Sequence, residues 1–195
     1  MFPDAGDLVR RFCGMPWSNG AGEHHELMYY DGIESDPNSL TPVDVLVAAP
    51  LNPNLGPSDR AFFIEYHNEL TAWLAVIPIE ADLVSSSSEI ISHLQGLATV
   101  WPNGPSLSVL SKVLHRKRPY LIPLVDRRSI DTYRPITGER VAVRAWPGML
   151  SAMAHDLQLN WSELSQIGQE VYKAIGVQVS PLRLIDITIW MNDHR

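Results

Sequence analysis

Apolar residues recur at helical spacing along most of the chain, and short clusters of Pro, Gly, Asn and Ser separate these stretches. Near residue 41, Thr41 is a good N-cap residue, Pro42 follows it, and Asp44 lies three residues after the cap. These residues predict a helix start. Residues 43–49 are apolar on nearly every side, so we expect this helix to be buried and the prolines that follow to end it.

The same pattern predicts three more helices in the middle of the chain. A helix of about 17 residues, capped by Ser58 or Asp59, extends to Val76. Another begins in the serine run 85–88. A third begins at Ser106, carries its apolar positions at helical spacing, and ends in a cluster of basic residues before a proline.

The last third of the chain is also mainly helical in pattern. The predicted elements are a helix from Asp126 to Tyr133, a short strand or extended link over 141–146, a helix from about 147 to 157, a helix over 161–175 that Asn160 and Glu163 cap and Gly176 ends, and a last helix after Ser180. With seven or eight helices and little strand, the fold class is mainly α. We expect a compact single-domain helical bundle.

The first 40 residues have a different composition, rich in Gly, Asp, Asn and Ser. Only Leu8 to Phe12 and Leu27 to Tyr30 are suited to short regular structure. We therefore expect residues 1–40 to form an irregular N-terminal arm and residues 41–195 to form a single helical domain. The aromatic residues that we expect to attach the arm to the core are Phe2, Phe12, Trp17 and Tyr30.

Composition bounds the protein class. Of 195 residues, 45% are hydrophobic, which is enough for one sizeable core. The single cysteine, Cys13, excludes a disulfide scaffold and a Cys-rich zinc module. No apolar run reaches the ~20 residues of a membrane-spanning helix, and the N-terminus lacks a signal-peptide pattern. The expectation is a soluble cytoplasmic protein.

Cofactor motifs are not found either. The chain has no Walker loop and no complete dinucleotide fingerprint. The run Glu23-His24-His25-Glu26 has the residue types of metal ligands, but adjacent side chains point in different directions, which favours a polar loop. We therefore expect no cofactor and no metal.

Charge is unevenly distributed along the chain. The net charge is −7, yet the window from Lys112 to Arg144 holds nine basic residues and three acidic ones, and therefore carries +6. Such a window favours either a surface that binds a polyanion or a face whose cations are solvated or paired with the protein's own acids.

The segment Ser111 to Arg127, SKVLHRKRPYLIPLVDR, is the most distinctive. It resembles an uncharacterised bacterial protein family of unknown function, in which a helix ending in a basic cluster and a proline precedes an apolar stretch and an aspartate. Leu40 to Asp44 and Ser180 to Met191 are similar to the same family. This resemblance implies no particular activity.

The segment is more distantly similar to the core of helix-hairpin-helix DNA glycosylases. The hairpin would lie at Asn103-Gly104-Pro105, and Asp126 would be the essential aspartate that stabilises an oxocarbenium-like sugar or activates a nucleophile. The hairpin has one glycine where that family usually has two. Ser108 falls near the position of the nucleophilic lysine of bifunctional members, and no cluster-binding cysteines follow. The resemblance therefore implies neither lyase chemistry nor an iron–sulfur cluster.

The first hypothesis for function is a nucleic-acid-binding helical protein with Asp126 at the centre of a site. The residues that we expect to contact DNA phosphates are Lys112, Arg116, Lys117, Arg118, Arg127 and Arg128. Two alternatives use the same cations: a non-catalytic module that binds an acidic protein partner, and a small enzyme acting on an anionic substrate. For Asp126 itself the alternative is a helix cap or a partner of an arginine.

Overall fold

A computed structural model describes residues 4–16, 28–52 and 55–192 of the chain. In these ranges the regular structure is helical and no β-strand occurs. The α-helices described are α1 (Ala5–Phe12), α2 (Met28–Gly32), α3 (Pro42–Ala48), α4 (Pro57–Glu65), α5 (His67–Ala75), α6 (Ser88–Gly96), α7 (Leu107–His115), α8 (Arg127–Thr137), α9 (Ala142–Ile175) and α10 (Pro181–Asn192). They share one hydrophobic core. The predicted mainly α, single-domain fold class is confirmed.

Several helix ends lie where local sequence predicts them. Ser106 caps α7, and its Oγ accepts a hydrogen bond from the backbone N–H of Val109 at 3.4 Å. Ser180 caps α10 in the same way, with Arg183 N as donor at 3.1 Å. Gly176 ends α9 with φ of +73°, a left-handed conformation that favours glycine. These ends depend on neighbours in sequence, which explains why the sequence predicts them.

Helices α7 and α10 form the centre of the fold. Eight of the nine residues of α7 are buried, and only Ser108 is partly exposed. Helix α10 is likewise buried on most sides and packs against α1, α8 and α9, whereas α7 packs against α3 and α9.

Two predicted helices differ from the structure. The prediction that α3 is buried is wrong, because Val43 and Leu46 are 51% and 63% exposed while Val45 and Ala48 face the core. The predicted helix ending at Val76 is divided into α4 and α5, which meet at a break at Tyr66.

The predicted strand over 141–146 and the two helices after it are wrong, because one continuous helix, α9, covers all of them. Trp146 is fully buried, and its Nε1 donates a hydrogen bond to the carbonyl oxygen of Leu94 at 3.0 Å. This packing keeps the first turns helical although Pro147 has no N–H to donate. Asn160, the expected cap, lies inside the helix, and its amide donates to a carbonyl one turn earlier.

In the N-terminal segment, α1 packs against α10 and α9. Phe12 and Tyr30 are buried, as predicted for residues that attach this segment to the core. Phe2 and Trp17, predicted to do the same, lie outside the described residues.

Candidate functional site

The segment singled out by sequence spans the end of α7, a buried connection and the start of α8. Ser111 Oγ accepts a hydrogen bond from Val125 N at 3.0 Å. A ring nitrogen of His115, Nδ1, lies 2.6 Å from the carbonyl oxygen of Ile122. Both contacts hold the apolar connection against α7, so the first residue after it, Asp126, has a defined position beside that helix.

Asp126 caps α8. Its Oδ1 accepts a hydrogen bond from Ser129 N at 2.9 Å, and Ser129 Oγ accepts one from Asp126 N at 2.9 Å. This reciprocal pair satisfies two backbone donors at the helix start, so the capping alternative is confirmed. Asp126 is half-buried and also lines an open cleft, so its position leaves a second role available.

We call this depression the Asp126 cleft. It has a volume of about 830 Å³ and lies between the 3-10 turn that follows α3, helices α7 and α8, and the end of α10. Its polar lining includes Asn52, Ser108, Lys112, Asp126, Arg127 and Arg128. An adjoining outer part of about 610 Å³ is lined further by Asp131, Arg134 and Arg140. Four of the seven predicted site residues therefore meet in one place.

Lys112 lies on the inner wall of the cleft with 7% of its surface exposed. Its ammonium donates one hydrogen bond, to Ser108 Oγ at 3.4 Å, and within the described ranges it has no carboxylate within 4 Å. Burial lowers the pKa of Lys112, while the charges of Asp126 and Asp186 oppose that shift. Two of the three N–H groups of this buried ammonium therefore lack an acceptor in the described chain, which favours a ligand that accepts hydrogen bonds.

Asn52 provides a second unsatisfied donor at the same cleft. This residue follows a 3-10 turn at Ala49–Leu51, is 5% exposed, and its Nδ2 finds no hydrogen-bond partner in the described structure. Asn52 is not among the site residues predicted from sequence, since nothing in a Pro/Asn/Gly loop indicates which distant helix it will face. Leaving a buried amide donor unpaired costs free energy, so this geometry favours a hydrogen-bond acceptor from outside the chain.

The arginines of α8 lie at the outer edge. Arg127 is 95% exposed, and its Nε is 3.6 Å from a carboxylate oxygen of Asp131. The guanidinium of Arg128 lies over the Trp190 ring, 5.4 Å from its centroid. Arg134 follows Arg127 after two helical turns on the same side of α8. That spacing is visible in the sequence and could have added Arg134 to the predicted set.

Arg116 and Lys117, predicted to contact phosphate, are buried and bonded inside the protein. Arg116 donates to the backbone oxygens of Tyr30 and Ile33 and lies 3.5 Å from Asp44 Oδ1. Lys117 Nζ lies 2.7 Å from Asp44 Oδ2. Burial raises the pKa of Asp44, but hydrogen bonds from Lys117 and its neighbours outweigh it and lower the pKa.

Arg118, the third member of this group, is 1% exposed. It donates to the backbone oxygens of Ile77 and Pro37 at 2.8 and 2.7 Å, and to Leu74 O at 3.0 Å. The structure thus separates the basic cluster into buried cations that hold the segment near residues 30–37 against α7, and cations that reach the Asp126 cleft.

A buried ionic group lies behind the cleft. Arg183 contacts two carboxylates, Asp31 at 3.0 Å and Asp186. Burial raises the pKa of Asp186 to about 6, although Arg183 acts in the opposite direction. One guanidinium against two carboxylates leaves surplus negative charge here, which adds to the field that acts on Lys112.

Other chemical candidates are less informative. Burial raises the pKa of Cys13 to about 12, so its thiol is protonated at neutral pH and behaves as a small apolar group. The run Glu23 to Glu26 lies outside the described residues. Over the ranges that the structure covers, no group of three or more His, Cys, Asp or Glu side chains could hold a metal ion.

No helix in the described ranges is both long and apolar enough to cross a bilayer.

Comparison with known proteins identifies a family for this chain. No curated protein and no solved structure matches the chain. A family model, described as a family of unknown function (DUF6308), matches residues 5–193, and the chain therefore belongs to that family.

Proposed function

We propose that the Asp126 cleft binds a small phosphate-bearing anion. One observation carries the proposal: two buried side chains, Lys112 and Asn52, line the same cleft with donors that the described chain leaves unused. Lys112 Nζ makes a single long hydrogen bond, to Ser108 Oγ, and Asn52 Nδ2 makes none. A phosphate group presents several acceptor oxygens and negative charge, and so would satisfy both donors at once.

The charge of the cleft supports an anion over a neutral ligand. Among the described residues, its lining and the adjoining outer part carry five cations, Lys112, Arg127, Arg128, Arg134 and Arg140, against two acids, Asp126 and Asp131. The N-terminus of α8 points its positive dipole end to the same place. This positive region is local, because the whole chain carries −7.

Asp126 is the acceptor within this cationic cleft. Beside a bound phosphate its carboxylate would accept a hydrogen bond from a ligand hydroxyl or from a water molecule. Its capping bond to Ser129 holds it in position for this. That arrangement suits an enzyme acting on an anionic substrate, in which Asp126 is the general base.

Binding of inorganic phosphate, measured by titration calorimetry, tests the proposal. Lys112→Met removes the charge and keeps a chain of similar shape, so phosphate binding should weaken at least about tenfold. Asn52→Asp replaces the donor by a carboxylate and should have the same effect.

Lys173→Met is the matched control, because it changes the net charge equally on the exposed surface of α9, away from the cleft. It should bind phosphate as the parent protein does. Equal affinities of the Lys112→Met variant and the parent would overturn the proposal.

DNA is the second candidate ligand, and the exposed outer arginines favour it. Arg127, Arg134 and Arg140 continue the positive surface beyond the cleft. The order of a helix, a buried apolar connection and an Asp-capped helix supports a resemblance to helix-hairpin-helix glycosylases. With Arg116, Lys117 and Arg118 bonded inside the protein, fewer phosphates can be contacted than the sequence predicted.

Salt dependence separates DNA from the small anion. Each phosphate neutralised contributes about −0.9 to the slope of log K against log salt concentration, so three contacts give about −2.7. The Arg127→Ala, Arg134→Ala, Arg140→Ala triple variant should flatten that slope. Release of free base from damaged duplex, present in the parent and lost in Asp126→Asn, would add the glycosylase reaction. Binding of an acidic protein with no affinity for either anion would favour an interaction module.

A further inference from the structure

A second, smaller pocket adjoins the Asp126 cleft. It lies between α8, α9 and α10 and has a volume of about 230 Å³. We call it the Tyr133 pocket; its lining includes Thr132, Tyr133, Ile136, Asp156, Ile185 and Ile189. Thr132 and Ile189 also line the Asp126 cleft, so the two spaces are neighbours.

The chemistry of the Tyr133 pocket differs from that of the cleft. Its walls are mainly isoleucine side chains and the Tyr133 ring, and no cation is among the described residues that line it. Asp156 is the one carboxylate that the described chain contributes to it. Tyr133 donates its hydroxyl to Asp156 Oδ2 at 2.8 Å, and the other oxygen, Oδ1, accepts no hydrogen bond from the described chain. The pocket thus offers apolar surface and one acceptor.

The spacing along α8 relates the two spaces. Arg128, Thr132 and Ile136 follow one another every four residues on one side of the helix, and each step is about 6 Å. A ligand whose anion lies beside Arg128 would therefore carry its uncharged part roughly one to two turns away, about 6–12 Å, in the Tyr133 pocket.

From this adjacency we infer that the ligand of the Asp126 cleft is a phosphate monoester whose organic part is a ring bearing an amino group. The inference rests on the proposed function, because the phosphate occupies the Asp126 cleft. The ring fills the Tyr133 pocket, and its amino group donates to Asp156 Oδ1. Burial of the ring's apolar surface contributes to the binding free energy, and so does the charge-assisted hydrogen bond from the amine to the carboxylate.

Three probes test this, each with one more chemical group than the one before: inorganic phosphate, phenyl phosphate, which adds the ring, and 4-aminophenyl phosphate, which adds the amino group. Phenyl phosphate should bind about tenfold more tightly than inorganic phosphate because the ring is buried. The amino group should add about a further fivefold through Asp156. Titration calorimetry measures all three affinities on the same full-length protein.

Two variants assign these gains to the pocket. Ile136 is 70% exposed, so the Ile136→Trp variant should fold normally while its indole fills the pocket. The higher affinity for phenyl phosphate than for inorganic phosphate should then disappear, and binding of inorganic phosphate should persist. In Asp156→Asn the Tyr133 hydroxyl would bond the amide oxygen and leave an N–H₂ facing the ligand. The preference for the amine should then be lost.

Leu159→Trp is the control, an equally exposed apolar position on α9 that does not line the pocket or the cleft. The inference would be overturned if the Ile136→Trp variant still bound phenyl phosphate more tightly than inorganic phosphate, or if the parent protein bound both equally. Neither result would contradict the proposed anion site. Absence of binding for all three probes would overturn both.

Discussion

The ammonium of Lys117 lies 2.7 Å from Oδ2 of Asp44, and both side chains are almost completely buried. Asp44 also accepts hydrogen bonds from Thr41 N at 2.8 Å and from Ser35 Oγ at 2.7 Å. A residue that starts α3 therefore also neutralises a cation at the end of α7. This pair explains why the basic cluster is only partly available to a ligand.

Removing Lys117 should destabilise the fold strongly. Lys117→Met leaves the buried carboxylate of Asp44 without its closest cation, and breaking such a pair costs about 3 kcal/mol. The free energy of unfolding from urea titration at pH 7 measures this. The exposed Lys173→Met should change it by less than about 0.5 kcal/mol. A loss below about 1 kcal/mol in Lys117→Met would show that Arg116 alone suffices for Asp44.

The neighbouring lysine should behave in the opposite way. Lys112 is buried without an ion pair in the described structure, so Lys112→Met removes a desolvation cost and should leave stability unchanged or raise it by about 1 kcal/mol. Because burial lowers the pKa of Lys112, the unfolded chain binds more protons between the folded pKa and 10.5. Parental stability should rise with pH across that interval, and the variant should lack this rise.

Comparing the two proteins at pH 7 and pH 9.5 measures the effect. If Lys112→Met were as damaging as Lys117→Met, Lys112 would be a structural residue, and the case for an anion at the Asp126 cleft would lose its main support.

His115 should make the fold sensitive to mild acid. Burial lowers the pKa of His115 to about 4, against 6.5 for an unfolded histidine. Its stability contribution is complete above about pH 6.5 and is lost as the pH falls toward 4, by up to about 3 kcal/mol. His115→Asn should flatten this part of the curve, whereas the exposed His155→Asn should not.

Because the pKa of Asp186 is raised to about 6, protonation of Asp186 makes the folded state more stable as the pH falls over part of the same interval, which opposes the effect of His115. This contribution of Asp186 is common to all these proteins, so it cancels when the curves of parent and variant are subtracted. Parallel curves for the parent and His115→Asn would contradict the prediction.

Asp126 should contribute a cap whatever else it does. Asp126→Ala removes the acceptor for Ser129 N and should cost about 1 kcal/mol, while Asp126→Asn, an equally good cap, should cost less than about 0.5. Thermal unfolding of both variants measures the difference. Any loss of binding or activity in Asp126→Asn then belongs to the carboxylate and not to folding.

Two glycines should respond in opposite ways to alanine. Gly176 ends α9 at φ of +73°, where a side chain is strained, so Gly176→Ala should cost about 1 kcal/mol. Gly96 closes α6 with open space where a Cβ would lie, so Gly96→Ala should stabilise by about 0.5 kcal/mol. Urea titration of the two variants measures both changes in the free energy of unfolding. Changes of the same sign would contradict the prediction.

Local signals in the sequence determined the helix starts at Thr41, Ser106, Asp126 and Ser180 and the helix end at Gly176. Capping and left-handed glycine conformations involve residues within four positions of each other, so they can be recognised without the fold. The continuous helix α9 could not be recognised, because a distant partner, Leu94, anchors the turn that contains Pro147.

Patterns along the chain are enough to predict a mainly helical protein with a basic segment before Asp126. Which of these cations face inward depends on the folded chain, because folding brings carboxylates and carbonyls from α3, α5 and the segment near residue 35 to them. Folding also brings Asn52 to the Asp126 cleft together with Lys112. Charge in a sequence is additive, but a cation is available to a ligand only where folding has left its donors unsatisfied.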